Sequence, residues 1–197
     1  MEEHGVSARI ETERLVLRCW SEEDASQLRE AIDISLDHLR EWMPWAMAES
    51  RSIEVTRELL RGFESKFKAG EDFVYGVFKR DESEVIGGSG LHPRIGAGGL
   101  EIGYWIRVDR TRKGYATETA RALTEAGLGI PGMERIQIHC DPQNVGSRRV
   151  PEKLEFRLVE TRVGGKQTSE GEPRDTLVFE LRGDMTNGWT RRPRGSR

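Results

Sequence analysis

The stretch from Trp105 to Leu128 concentrates residues that could do chemistry: an apolar strand end, a loop carrying Arg110, Arg112, Lys113 and Gly114, and then an amphipathic helix. The first N–H groups of a helix lack intrahelical partners, and the helix dipole places partial positive charge beside them. A glycine there lets a ligand approach the main chain. A phosphate or pyrophosphate is the expected guest. The loop has neither the Walker lysine pattern nor the three-glycine dinucleotide fingerprint, which argues against a nucleotide-binding protein. Cys19 and Cys140 have no second Cys or His at ligand spacing. They are expected as buried free thiols, with no disulfide framework and no metal site.

The elements that must position this loop can be read on either side of it. Arg14 to Trp20 has strand composition, and Ser21 followed by Asp24 marks a helix start leading into Ala25, Leu28, Ala31 and Ile32. The segment His38 to Ala46 is dense in aromatics and broken by Pro44. Trp42 and Trp45 within it read either as core packing or, because Pro44 makes a bend, as a wall of a substrate pocket. Apolar residues from Ile53 to Phe67 fall at helical spacing, and Gly70 ends that helix. Strands follow at Phe73–Phe78, Val85–Leu91 and Leu100–Val108, joined by short polar or glycine-rich turns that read as hairpins.

Past the anion loop, Arg135 to Cys140 alternates as a strand, Asn144 to Leu154 is helical, and Phe156–Val163 and Thr176–Leu181 suggest a last hairpin around the loop Gly164 to Pro173. Strand, helix, strand across residues 100 to 140 implies one parallel crossover in an otherwise antiparallel sheet. The fold class is therefore α+β, with a mixed, mostly antiparallel sheet of about six or seven strands and helices on both faces.

At 197 residues the chain fits one domain, expected over residues 1–183, with residues 184–197 as a basic, flexible tail. A net charge of −3, with acidic and basic residues interspersed, argues against general nucleic-acid binding. No apolar run approaches the roughly 20 residues that span a bilayer, and the start Met-Glu-Glu-His is not signal-like. A cytoplasmic protein away from membranes is expected.

With these elements in place, the sequence resembles the GNAT superfamily of acetyl-CoA-dependent N-acetyltransferases, in particular its ribosomal-protein N-terminal (alanine) acetyltransferase branch. The matching features are Thr12 to Arg18, Trp42-Met-Pro-Trp45, Glu101-Ile-Gly-Tyr-Trp105, Lys113-Gly-Tyr-Ala-Thr-Glu118 and Asn144-Val-Gly-Ser147 with Phe156 downstream. They occur in family order across residues about 9 to 182. The family's pyrophosphate loop runs Gln or Arg, two residues, Gly, one residue, Gly or Ala. Gly114 and Ala116 match it, and Thr111 departs from it. Pro151 and Glu155 depart too: the first removes a bond to the Ser147 carbonyl inside a helix and predicts a kinked or shortened one, and the second replaces a glycine in the left-handed cap.

The resemblance implies acetyl-CoA as cofactor. It would be held by the main chain of Ile106 and Val108 at the strand end, by Arg112, Lys113, Gly114, Tyr115 and Ala116 in the loop, and by Asn144. Tyr115 and Glu118 side chains read as mainly structural. Ser147 is the candidate proton donor to the departing thiolate. For the base, Glu101 is the first candidate, with His139 and Asp141 as rivals on the next strand. An amino terminus with a pKa of about 8 is partly neutral already, so a strong base is not obligatory. Trp42 and Trp45 would shape the acceptor site.

The expected activity is acetyl transfer to a primary amine by direct attack on the thioester, with a protein or peptide N-terminus as acceptor. The alternatives are a small-molecule amine acceptor and a non-catalytic acyl-CoA-binding regulatory module. The protein is expected as a monomer or homodimer.

Overall fold

The computed structural model describes residues 5–49, 51–167 and 172–183. The Met-Glu-Glu-His start, the basic tail and the centre of the Gly164–Pro173 loop lie outside the described residues. The elements in order are β1 (Arg9–Glu11), β2 (Leu15–Cys19), α1 (Ala25–Trp42), α2 (Ile53–Ala69), β3 (Phe73–Lys79), β4 (Val85–His92), β5 (Gly99–Ile106), α3 (Tyr115–Leu128), β6 (Arg135–Cys140), α4 (Val145–Lys153), β7 (Arg157–Gln167) and β8 (Pro173–Arg182).

One eight-stranded sheet runs β1-β2-β3-β4-β5-β6-β8-β7. Every pairing is antiparallel except β5 with β6, the expected crossover through α3. The strand count exceeds the six or seven expected because β1 is only three residues long, too short to show an alternation. Alternate strand residues enter opposite clusters. Leu15 and Leu17 pack on the side that α3 and α4 cover through Leu123 and Val150. Val16, Phe78 and Val85 pack on the side that α1 covers through Leu28 and Ile32. Helices on both faces follow directly.

Local signals account for the helix ends. Ser21 and Asp24 form a reciprocal capping box around a 3-10 turn, Glu22–Asp24, that continues into α1. Ser52 caps α2, and Gly70 closes it at φ 71°. Pro44 cannot continue α1, so the chain turns into a second 3-10 segment, Pro44–Ala48. That turn is fastened to α1 by the buried pair Arg29–Glu49 and by Arg40 Nη2 donating to the Glu49 carbonyl at 3.1 Å. Trp42 and Trp45 thereby acquire fixed positions.

Candidate active site

The anion loop is built as a mould with its main chain bare. After a 3-10 turn, Val108–Arg110, the residues Arg112 (φ 59°) and Gly114 (φ 85°) both adopt left-handed geometry and swing the chain into α3. Gly114 occupies the N-cap and supplies no side-chain cap, in contrast to Ser52 and Asn144 on α2 and α4. The N–H groups of Tyr115, Ala116 and Thr117 thus have no intrahelical acceptor and face outward with the dipole behind them. Arg14 clamps the loop. Its Nη1 donates to the Lys113 carbonyl at 3.0 Å and its Nε to Glu118 at 2.7 Å, while its guanidinium lies 4.7 Å over the Tyr115 ring. Glu118 also accepts from Thr12 Oγ1 at 2.6 Å, so both Tyr115 and Glu118 serve the scaffold through their side chains.

The cations divide. Arg110 pairs with Glu84 at 2.7 Å and Asp109 at 2.9 Å, contrary to the expectation that its charge would serve the loop. Arg112 and Lys113 are exposed and make no ion pair among the described residues. Thr111, at the family's Gln or Arg position, donates its hydroxyl to the Val108 carbonyl at 2.8 Å and so closes the turn. The Val108 N–H donates to Ser35 Oγ of α1 at 3.0 Å. Both main-chain groups of Val108 are therefore engaged, and the main-chain role expected of Val108 and Ile106 is left to Ile106.

Ile106 borders a gap in the sheet. The β5–β6 ladder runs from Gly99↔Arg135 to Ile102↔Ile138 and stops, while β5 continues beside β4 to Ile106 and β6 beside β8 to Cys140. Arg107 N–H donates to the Ile86 carbonyl on the β4 side, so by alternation the Ile106 main chain faces the gap. An extended amide-bearing arm that needs main-chain partners fits this slot, and its anionic end fits the bare N-terminus of α3.

Ser147 stands at the gap on the first turn of α4. Asn144 Oδ1 accepts from the Ser147 N–H at 2.9 Å, which leaves the Asn144 amide N–H groups for a ligand. The Tyr104 hydroxyl donates to the Ser147 carbonyl at 3.0 Å and lies 3.2 Å from Ser147 Oγ. Pro151 explains the first contact: it has no N–H to offer that carbonyl, and Tyr104 supplies the donor instead. The helix runs nine residues and ends two positions past Pro151; Glu155, at φ 62°, then takes the left-handed cap expected there. Burial holds the Tyr104 hydroxyl well above the usual phenol range, against the opposing hydrogen bond to Ser147, so it stays protonated.

On the α1 side of the sheet a cleft of about 780 Å³ opens above β4 and β5. Its floor is glycine. A Cβ on Gly88 would stand 2.6 Å from the Trp105 indole nitrogen, and one on Gly90 would stand 2.6 Å from His92 Nε2. Trp105 and His92 therefore lie flat on the strands. Trp45 meets Trp105 edge-on at 6.1 Å between centroids, and Trp42 lies under the Arg174 guanidinium at 4.9 Å. Both tryptophans line the cleft. Cys140 lies buried in its wall. Cys19 is only half-buried, and burial pushes its thiol up to about 11.

The three expected base candidates all reach this cleft, but each is engaged. Glu101 is held in a fork by Arg94, at 2.9 and 2.5 Å, with His139 Nδ1 at 3.3 Å. Burial alone would raise the Glu101 carboxyl. The Arg94 hydrogen bonds and the nearby positive charges outweigh it and leave the group below the usual range. Asp141 lies 3.3 Å from Arg174 Nε and accepts from the Gln143 N–H at 2.7 Å. His139 Nε2 lies 2.8 Å from Gln137 Oε1. Among the described residues no three His, Cys, Asp or Glu side chains converge to hold a metal ion.

Sequence reasoning missed two contributors. Arg174 fastens β8 to α1 by donating to the Glu41 carbonyl at 2.8 Å. His92 Nδ1 lies 2.6 Å from Asp72 Oδ1. The second signal was present: Asp72 precedes Phe73 and His92 follows Leu91, and Phe73 and Leu91 are cross-strand partners. Only the hairpin register makes them neighbours.

Comparison with known proteins agrees with this architecture. A profile of the acetyltransferase (GNAT) domain matches residues 14–157. The chain is 27% identical over 173 residues to the uncharacterized N-acetyltransferase YoaA of Bacillus subtilis (strain 168), covering 87% of this chain and 95% of that one. The fold is shared with the ribosomal L7/L12 alpha-N-protein acetyltransferase RimL in complex with coenzyme A, at a TM-score of 0.79 and 20% identity, covering 88% of this chain and 97% of that one. It is shared also with the microcin C7 self-immunity acetyltransferase MccE in complex with acetyl-CoA and AMP, at 0.79 and 15%, covering 87% and 93%. The chain belongs to the GNAT acetyltransferases, enzymes that take their acetyl group from acetyl-CoA.

Proposed function

We propose that this enzyme acetylates the amino terminus of a protein or peptide, with a small-molecule amine as the second class of acceptor. The observation that carries the reading is the placement of two openings on one strand. Past Ile102, β5 borders the gap on its edge, while Gly103 and Trp105 floor the aromatic cleft on its face. RimL, whose fold is shared, acts on a protein amino terminus, and the open cleft has room for a chain end. The protein works in the cytoplasm.

Ile106, Gly114, Tyr115, Ala116 and Asn144 hold acetyl-CoA, chiefly through main-chain groups and the Asn144 amide. Arg112 and Lys113 add charge at the pyrophosphate. When bound, acetyl-CoA supplies a thioester carbonyl for attack. Trp42 and Trp45 confine the acceptor and help exclude water. Ser147, beside the Tyr104 hydroxyl, returns a proton to the leaving thiolate. Glu101, held ionised by Arg94, attracts and orients the acceptor ammonium.

The test is thiol release from acetyl-CoA with peptides of varied first residue set against polyamines and aminonucleosides, with mass spectrometry of the products. Acetylation confined to small amines would sink the protein-acceptor reading, and tight acetyl-CoA binding with no release on any acceptor would sink transfer itself. Ser147→Ala should lower kcat about 100-fold at most tenfold change in acetyl-CoA affinity. An unchanged kcat would remove Ser147 from the mechanism.

A further inference from the structure

We propose that His92, oriented by Asp72, is the general base that takes the proton from the acceptor ammonium; the proposal rests on the amine-transfer reading above. Three observations place it. First, His92 Nδ1 lies 2.6 Å from Asp72 Oδ1, which fixes the proton on Nδ1 and leaves the lone pair of a neutral ring on Nε2. Second, Nε2 makes no hydrogen bond to any described residue and opens on the cleft, the side chain being 17% exposed. Third, the ring is fixed in place. It lies over Gly90 and over Gly103, where a Cβ would stand 3.5 Å from Nε2. Gly103 is the first residue of β5 beyond its last pairing with β6. The imidazole therefore stands on the acceptor side of the point where the donor gap opens.

None of the other titratable groups nearby is so placed. Asp72 faces the ring from the turn before β3, Glu101 from β5 with its partner Arg94, and His139 from β6. Arg40, Glu41, Glu49, Arg51, Asp141 and Arg174 also line the cleft, with Arg51 paired to Glu49 and Arg174 to Asp141. Glu101 stays ionised with both oxygens held in the Arg94 fork, and His139 is wedged between Glu101 and Gln137. Asp72 points at His92. A cationic acceptor approaching over the glycine floor meets the His92 Nε2 lone pair, which no described residue occupies.

The protons balance. An ammonium gives one proton to His92, which releases it to solvent. The amine lone pair forms the new bond to the carbonyl carbon, the carbon–sulfur bond breaks, and the sulfur keeps that electron pair. The second nitrogen proton replaces, through water, the one that Ser147 passes to the thiolate. The products are an amide, a free thiol and one proton.

The test compares wild type, His92→Gln and Asp72→Asn for kcat/KM from pH 6.5 to 9.5, with coenzyme A binding followed by thermal shift. His92→Gln should be about 100-fold slower near pH 7. It should approach wild type to within about threefold near pH 9.5, where the acceptor amine, with a pKa of about 8, has lost its proton unaided. Asp72→Asn should show a smaller loss of the same pH dependence, and coenzyme A binding should not change. Independently, nitrogen NMR of the neutral imidazole should find the His92 proton on Nδ1 and lose that preference in Asp72→Asn. A wild-type to His92→Gln ratio constant across pH, or a proton resident on Nε2, overturns the proposal while leaving transfer intact. A wild type that acetylates no amine overturns the transfer reading, and the base with it.

Discussion

Removal of the Tyr104 hydroxyl should reveal how Pro151 is tolerated in α4. A proline inside a helix costs about 3 kcal/mol, partly because the carbonyl four residues earlier loses its donor. Here that carbonyl belongs to Ser147, and Tyr104 Oη reaches it at 3.0 Å. Tyr104→Phe strands the carbonyl and removes one hydrogen bond, for an expected loss of about 1–2 kcal/mol. In a Pro151→Ala background the new N–H can reach the same carbonyl, so the second removal should cost only about 0.5 kcal/mol.

The prediction is the difference, a coupling of about 1 kcal/mol between Tyr104 and Pro151, read from urea unfolding of the four proteins of the cycle. With a slope of about 2 kcal/mol per molar, it corresponds to a midpoint difference of about 0.5 M. The cycle cancels whatever Pro151→Ala does to packing of the buried ring. Additivity to within about 0.3 kcal/mol would refute the idea that the hydroxyl replaces the missing amide.

Glu155 stands exposed at φ 62°, so Glu155→Gly should raise stability by about 1 kcal/mol in the same unfolding assay; a loss of stability would contradict the left-handed cap. Gly114→Ala forces a side chain into φ 85° with its Cβ 3.4 Å from Arg14 Nη2, and should shrink the coenzyme A thermal shift markedly; a full-sized shift would refute the role of the bare helix start. Glu101 titrates lower in the folded chain than its unfolded value of about 4.3. Near that pH the unfolded chain binds more protons, so the contribution is present above it and is lost as pH falls through the folded value. Glu101→Gln should therefore flatten the decline of stability below about pH 5, and an unaltered slope would show that Arg94 does not hold the carboxylate.

The parts legible in the sequence are those fixed by neighbours along the chain. Ser21 and Asp24 close their capping box across three residues, Gly70 ends α2 within one turn, and β6 spans Arg135–Cys140 as its alternation indicates. The Gly114 start of α3 belongs with them, since a glycine and a helix start suffice to describe it. What escaped depends on register and long-range charge. Arg110 looked available until Glu84 was brought beside it by the β4–β5 hairpin, and Val108 until Ser35 of α1 met its N–H. Asp72 and His92 are twenty positions apart and carry no local pattern. Pairing of Phe73 with Leu91 alone aligns them. Glu101 was legible as a residue beside the loop strand, but its forked partner Arg94 was not, because Arg94 sits in a turn whose geometry the sequence leaves open.

The alternation of β5 ties these observations together. Glu101, Gly103 and Trp105 lie on one face of the strand, whereas Ile102, Tyr104 and Ile106 pack on the side of α3 and α4, with Tyr104 touching Ser147, and the cleft extends to Tyr104 and Ser147. On the proposed function, this strand brings the aromatic acceptor wall and Ser147 to one cleft at the point where the gap opens. Because side chains alternate with period two, a slip of β5 by one residue would exchange its two faces and turn Glu101 and Trp105 toward α3. The buried Leu100 and Ile102, each 2% exposed or less, oppose that slip, since it would carry both out of the core. The placement of the cleft-lining residues of β5 therefore depends on the same apolar residues that hold the strand in register.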